Sequence, residues 1–367
     1  MLSRSRRSTF IMVGFLLFSC VPAISQPKAE ALKSEVPSAE MAKIGYVGPA
    51  VCATCHLEIY NNYRATAHPF KIRPAEEAHI VGMALPEGYN WNEISYVIGG
   101  RRWKARYLDK NGYIITRTGK NRDVKGENQF NIRTGSWSDY FPGETKPYDC
   151  GKCHTTGYSS KGNQDGLEGI VGTWALPGIT CEECHGPGRD HVASRGQGKI
   201  IKDGSAAACG KCHIRGNKNT IPAADGFIQH HEQYNEFLAS PHNTMDCVSC
   251  HNPHKPLASS IIADCAGCHA DAAAEYKGSK MAKVYKTCED CHMPMASKSA
   301  VSSTPWQGDV KTHLFRINTD PNAKMFTDDG KWAKNYLTLE FACLKCHLDR
   351  SASWAAQYAK NAHSIGK

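Results

Sequence analysis

Hydrophobic positions in this chain come in short runs broken by Gly, Pro and charged residues, and long periodic apolar stretches are scarce. The first run, Phe10 to Phe18, follows Arg4, Arg6 and Arg7 and leads to Ala23-Ile24-Ser25. That layout predicts a secretory signal over 1–25, since so short a run cannot span a bilayer. Cys20 after Leu17-Phe18-Ser19 offers lipid anchoring as the competing reading, disfavoured because Phe18 is bulky for that purpose. Both predict export to the periplasm or beyond. Residues 26–45, rich in Lys, Glu, Ala and Ser, read as a flexible or weakly helical leader.

Further on, the pattern predicts a helix over Val51 to Ala67 within a segment 46–85. Between 86 and 149 it turns to strands: Ser95 to Gly100, Trp103 to Leu108 and Tyr113 to Arg117 are rich in aromatic and β-branched residues. Asp109-Lys110-Asn111-Gly112 is a hairpin turn, and Gln129 to Ile132 can add a strand. Helical spacing returns at Trp332 to Phe341 and at Ala352 to Ala362.

The remaining segments, 150–292 and 293–367, are dominated by one pattern, Cys-x-x-Cys-His. Six copies lie close together: Cys150/Cys153/His154, Cys181/Cys184/His185, Cys209/Cys212/His213, Cys247/Cys250/His251, Cys265/Cys268/His269 and Cys288/Cys291/His292. Two more flank them at Cys52/Cys55/His56 and Cys343/Cys346/His347. A lone Cys-x-x-Cys is as readily half a zinc site or a redox disulfide. Here 16 of 17 cysteines fall in motifs that all carry the histidine, which neither alternative needs. In an exported chain the pattern means haem c: two thiols bond the porphyrin vinyl groups and the histidine takes one axial position on iron. Eight motifs predict eight covalent haems.

Composition and charge then change meaning. With 41% hydrophobic residues and 50 Gly plus Pro, a conventional core of this length is not indicated, and the porphyrins themselves become the core. The formal charge of +9 falls to +6 without Arg4, Arg6 and Arg7. Each haem adds two propionates against one positive charge on ferric porphyrin, so eight remove about eight charges. Nucleic-acid binding is not indicated. The fold class expected is mainly α and loop-rich, wrapped around eight haems, with a small β-rich insert at 86–149.

Nine histidines lie outside the motifs. Eight of them, His68, His191, His230, His231, His242, His254, His313 and His363, are the candidate second axial ligands. His79, in Ala-His-Ile-Val with no supporting turn, is left out. Met281, in Ser-Lys-Met before the seventh motif, is a conceivable thioether ligand, with packing the alternative.

Several segments together resemble the multihaem cytochromes c of the cytochrome c-554 family. They are Tyr46-Val47-Gly48 leading to CATCHLEIYNNYRATAH (52–68), CEECHGPGRDHV (181–192), FLASPHNTMDCVSCHNPH (237–254) and Thr-His-Leu-Phe (312–315). The resemblance implies a helical, loop-rich fold with closely packed haem pairs and one-electron transfer in the periplasm. It carries ligand roles to His68, His191, His242, His254 and His313. The chain departs in having twice the four haems usual there and in the insert.

Three functions are weighed, and electron transport is the one the sequence favours. An electron carrier follows from a nearly complete supply of second ligands, since a six-coordinate iron has no vacancy; its partners are redox proteins or quinol-linked membrane complexes. An oxidoreductase acting on a small nitrogen or sulfur oxyanion needs one open iron and nearby cations, which Arg101, Arg102, Lys104 and Arg106 of the insert can supply near the first haem. A homo-oligomer or conducting filament is the third.

Overall fold

A computed structural model describes residues 33–79 and 82–364. The expected signal, with Cys20, lies outside them. Among the described residues no helix is long and apolar enough to cross a membrane. Order begins earlier than Tyr46. Ser38 caps the helix Ala39–Ile44 by accepting from Met41 N–H, and Gly45 closes it at φ 119°. Ahead of it, the buried Glu35 carboxylate takes the Tyr60 hydroxyl at 2.8 Å and pairs with Arg64. Composition alone described this stretch as loose; contacts with a helix some 25 residues on tie it down.

The helix expected over 51–67 is two short ones, Pro49–Ala53 and Leu57–Arg64, broken at His56, where the backbone leaves helical geometry. Short helices recur through the motifs, joined by long irregular segments.

The β-rich insert is a seven-stranded, antiparallel sheet that also recruits Ile72–Pro74. Strands Ile94–Gly99 and Lys104–Asp109 form its centre, in the register Ile98 opposite Arg106 and Tyr96 opposite Leu108. Alternation along them explains why both faces are buried. Tyr96, Ile98 and Leu108 pack with Ile72, Tyr148, Ile170 and Trp174 on one face. Val97, Ala105 and Tyr107 pack with Ala75, Ala78 and Ile115 on the other.

Strand structure is not confined to 86–149. A second, four-stranded sheet joins Ile221–Ala224, Phe227–Gln229, Ser297–Lys298 and Trp332–Ala333. The last of these corrects the helix expected from Trp332: Ala333 pairs with Ile221, and helical turns begin only at Glu340. The local spacing was compatible with a helix, but the edge of Ile221–Ala224 offered backbone hydrogen bonds that only the fold brings within reach.

The four apolar clusters draw just Ile221, Phe227 and Ile228 as buried members from residues 175–292. The stretch densest in motifs thus contributes few residues to these clusters.

Gly112 ends the hairpin turn at φ 87°, and a Cβ there would lie 2.7 Å from Ile170 Cγ1 and 2.9 Å from Leu167 Cβ. Gly112→Ala is expected to destabilise the insert by about 1–3 kcal/mol, read as a lowered thermal midpoint of the loaded protein. Equal midpoints would show that the turn is unstrained.

Candidate haem sites

Where a motif is helical through both cysteines, they stand one helical turn apart, so both sulfurs lie on one side, with the histidine following at once. The helices Cys181–His185 and Cys288–His292 show this directly. None of the sixteen motif cysteines is paired in a disulfide.

Six motif histidines each stand opposite a histidine from elsewhere in the chain. His56 faces His191 at 6.3 Å between ring centres, His185 faces His254 at 6.0 Å, and His213 faces His68 at 6.5 Å. His251 faces His313 at 6.1 Å, His269 faces His242 at 6.0 Å, and His292 faces His363 at 6.1 Å. These separations are too long for ring stacking. Two metal–imidazole bonds of about 2.0 Å, plus about 1.1 Å from each nitrogen to its ring centre, give about 6.2 Å. The pairs therefore have the spacing that one iron between them requires.

Protonation and orientation agree with that fit. Burial holds the His68 imidazole down to about 3 and His313 to about 4, so both are neutral and able to ligate. Nδ1 of His185 meets the Ile201 carbonyl at 2.6 Å, that of His292 the Phe315 carbonyl at 2.8 Å, and that of His191 the Gly198 carbonyl at 3.1 Å. His213 Nδ1 lies 3.3 Å from the Gln233 side-chain oxygen. Each contact leaves Nε2 for a metal. The buried Glu236 carboxylate accepts the His313 backbone N–H at 2.6 Å and the Thr312 hydroxyl, holding that loop against the helix Gln233–Ala239.

Among the described residues, no histidine ring stands opposite His154 or His347 at this spacing. His347 packs on Trp354 at 5.0 Å. His230 and His231, expected as second ligands, have rings 4.4 Å apart, His231 takes a left-handed backbone at φ 75°, and His154 is among the groups that act on the His231 imidazole, though not at the spacing of the six pairs. His79 packs on Trp91. Met281 is not needed at the seventh motif, where His363 already faces His292.

The surroundings of His154 are distinctive. Lys71, Arg106 and Lys104 all act on its imidazole, which burial and these cations hold to about 3. Lys104 and Arg215 also bear on His230, and Lys71 and Arg215 on His231. Burial, aided by Arg106, brings Lys104 down to about 7. Arg106 donates twice to the Gln129 side-chain oxygen, at 2.9 and 2.5 Å, and its guanidinium lies over the Tyr140 ring. Arg215 sits 2.9 Å from the fully buried Glu232, whose carboxyl burial raises to about 9. Thus Lys104 and Arg106 of the insert face the second motif, not the first as the sequence suggested. Arg101 and Arg102 instead cover Phe70 and Trp103. The insert is pinned there by Trp103 and Lys104, which donate to the Asp309 and Ser299 carbonyls at 3.2 and 2.6 Å. Lys71, Arg215 and Glu232 carried no local signal, because nothing in their immediate sequence marks them.

Sulfurs of different motifs also meet. Cys153 and Cys212 each approach the backbone carbonyl before the other's cysteine, Lys211 and Lys152, at 3.9 Å. Cys52 contacts Cys181, and Cys209 contacts Cys247. Cys184 neighbours Cys209, Cys250 neighbours Cys268, Cys265 neighbours Cys288, and Cys291 neighbours Cys346. The motifs therefore adjoin in the order first, third, fourth, fifth, sixth, seventh, eighth, with the second beside the fourth.

Residues 120–186 match the family described as cytochrome c554 and c-prime. The dissimilatory sulfite reductase MccA of Wolinella succinogenes is 21% identical over 87% of this chain, and the chain spans 63% of that protein's length. The solved octahaem sulfite reductase MccA from the same organism superposes with a TM-score of 0.61 at 19% identity, over 82% of this chain and 65% of that one. The outer cell wall cytochrome OcwA superposes with a TM-score of 0.56 at 19% identity, over 85% and 86%. Fold and motifs together define a class, proteins built on covalently bound haem. This chain is a multihaem c-type cytochrome.

The paired rings differ in tilt: 17° and 14° for His56/His191 and His185/His254, but 82° and 87° for His68/His213 and His242/His269. Near-parallel imidazoles lift the degeneracy of the iron π-orbitals, whereas perpendicular ones preserve it. Electron paramagnetic resonance of the oxidised protein is expected to show both rhombic low-spin signals and low-spin signals dominated by one large g value. A spectrum with only one kind would contradict these pairings.

Proposed function

We propose that this chain is an exported octahaem oxidoreductase, in which a wire of bis-histidine haems would feed an open iron held by His154 at the second motif, the place where a small nitrogen or sulfur oxyanion would bind and be reduced. One observation carries it: His154 faces no histidine at ligand spacing, while Lys71, Lys104, Arg106 and Arg215 gather around it and its neighbours His230 and His231. Cations around an open position hold an anion and offset charge that develops as it is reduced. Among the described residues the eighth motif also lacks a facing histidine, but there His347 packs on Trp354, over which Arg350 lies, and no cations are held around its imidazole as they are around His154.

The irons of the first, third, fourth, fifth, sixth and seventh motifs would be closed by His191, His254, His68, His313, His242 and His363 and would serve as carriers. Electrons from a redox protein or a quinol-linked membrane complex enter this chain of haems outside the cytoplasm. The contact of Cys153 and Cys212 would put a haem held by the fourth motif beside one held by the second, a route for electrons to it. The likeness to a sulfite reductase supports an oxyanion substrate. Transport alone, with every iron closed, is the reading this replaces.

The ferric protein is expected to contain high-spin haem, and the ferrous protein to bind carbon monoxide. Purely low-spin haem with no carbon monoxide adduct would overturn the open iron. Lys104→Gln and Arg106→Gln are each expected to lower kcat/KM for nitrite or sulfite, with a reduced dye as donor, by about 10- to 100-fold at unchanged haem content.

Lys104 is charged below about 7 and neutral above it. Affinity of the ferric protein for the anion is therefore expected to fall as pH rises through 7. Lys104→Arg, charged throughout, should flatten that dependence in a spectral titration; an unaltered profile would remove Lys104 from the anion site.

A further inference from the structure

Glu182 lies between the two cysteines of the third motif, yet its carboxylate serves the first. It is 3% exposed and accepts three backbone N–H groups: Val47 at 2.9 Å, Gly48 at 2.9 Å and Gly188 at 2.8 Å. Gly48 is the N-cap of Pro49–Ala53, the helix that carries Cys52 and leads to Cys55 and His56. Gly188 is the N-cap of Arg189–Ala193, the helix that carries His191. Neither cap residue has a side chain to satisfy those orphan donors, so one carboxylate caps two helices at once. A negative charge there also suits both helix dipoles.

The two helices present the rings that face each other at 6.3 Å and 17°. Their starts are held together again by Arg189 N–H donating to the Gly45 carbonyl at 3.0 Å. The approach is close: a Cβ at Gly48 would fall 2.0 Å from the Glu35 carbonyl oxygen, and one at Gly188 would meet Val47 Cγ2 at 3.2 Å. Cys52 and Cys181, the attachment residues of the two motifs, are in contact beside it.

We infer that Glu182 is a positioning residue for the first haem: it sets the spacing and near-parallel tilt of His56 and His191, and locks that haem to the third. Glu182 touches neither ring and acts through the two helix starts. The inference rests on His56 and His191 sharing one iron, but not on the open iron at His154.

The test is electron paramagnetic resonance of the fully loaded oxidised protein, with Glu182→Ala and Glu182→Gln. The first-haem signal is identified as the rhombic one lost in His191→Ala. Glu182→Ala is expected to remove that signal from its wild-type position and replace it with one of larger highest g value, leaving the His185/His254 signal in place. The potential of the same haem should shift with it. Glu182→Gln, which turns an amide N–H₂ toward backbone donors, should produce a smaller change of the same direction, and it decides the matter if the alanine variant does not accumulate. A glutamine variant with eight haems and an unchanged first-haem signal would overturn the role. Fewer than eight haems in the wild-type protein, or no rhombic signal lost in His191→Ala, would instead defeat the ligand pairing beneath it.

Discussion

Everything in this molecule depends on holding two imidazoles, usually from distant parts of the chain, about one metal's width apart. His56 meets His191, and His251 meets His313, across loops of many residues. Closing such loops costs conformational entropy. Hydrogen bonds at the loop ends supply the local order: Glu182 at two helix starts, Glu236 at His313, and backbone carbonyls at Nδ1 of His185, His191 and His292. Between those anchors the chain is free to be irregular.

That constraint explains the uneven distribution of the core. Where motifs are sparse, alternating strands bury ordinary side chains on both faces of a sheet, with Tyr107, Leu108 and Tyr148 fully enclosed. Where motifs are dense, few side chains join the apolar clusters. The β insert and the cofactor-rich stretch meet at the second motif, and there the strand Lys104–Asp109 aims Lys104 and Arg106 toward His154. A rigid sheet is a suitable carrier for such cations, since half-buried charges need fixed partners to stay in place.

The motifs adjoin in one connected path. Neighbouring sulfurs make a linear series from the first motif to the eighth, with the second beside the fourth as a side branch. A carrier needs only the line. The branch ends at His154, where Lys71, Lys104 and Arg106 gather and, among the described residues, no histidine ring stands at ligand spacing; the proposed reduction of an anion rests on that convergence.

The sequence by itself determined the attachment chemistry, because Cys-x-x-Cys-His is a contiguous pattern whose geometry is set by one helical turn. It also determined the supply of histidines and the insert's central strands, where period-two alternation and the Asp109–Gly112 turn are local signals. It did not determine which histidine faces which, since a pairing such as His213 with His68 joins residues far apart in the chain. Nor did it show that His230 and His231 would pack on each other, or that Lys104 and Arg106 would face the second motif. The strand at Trp332 was hidden for the same reason, its partner edge being more than a hundred residues earlier. Those outcomes belong to tertiary structure, in which long-range backbone pairing and the convergence of charges around one site outweigh any preference a short segment has alone.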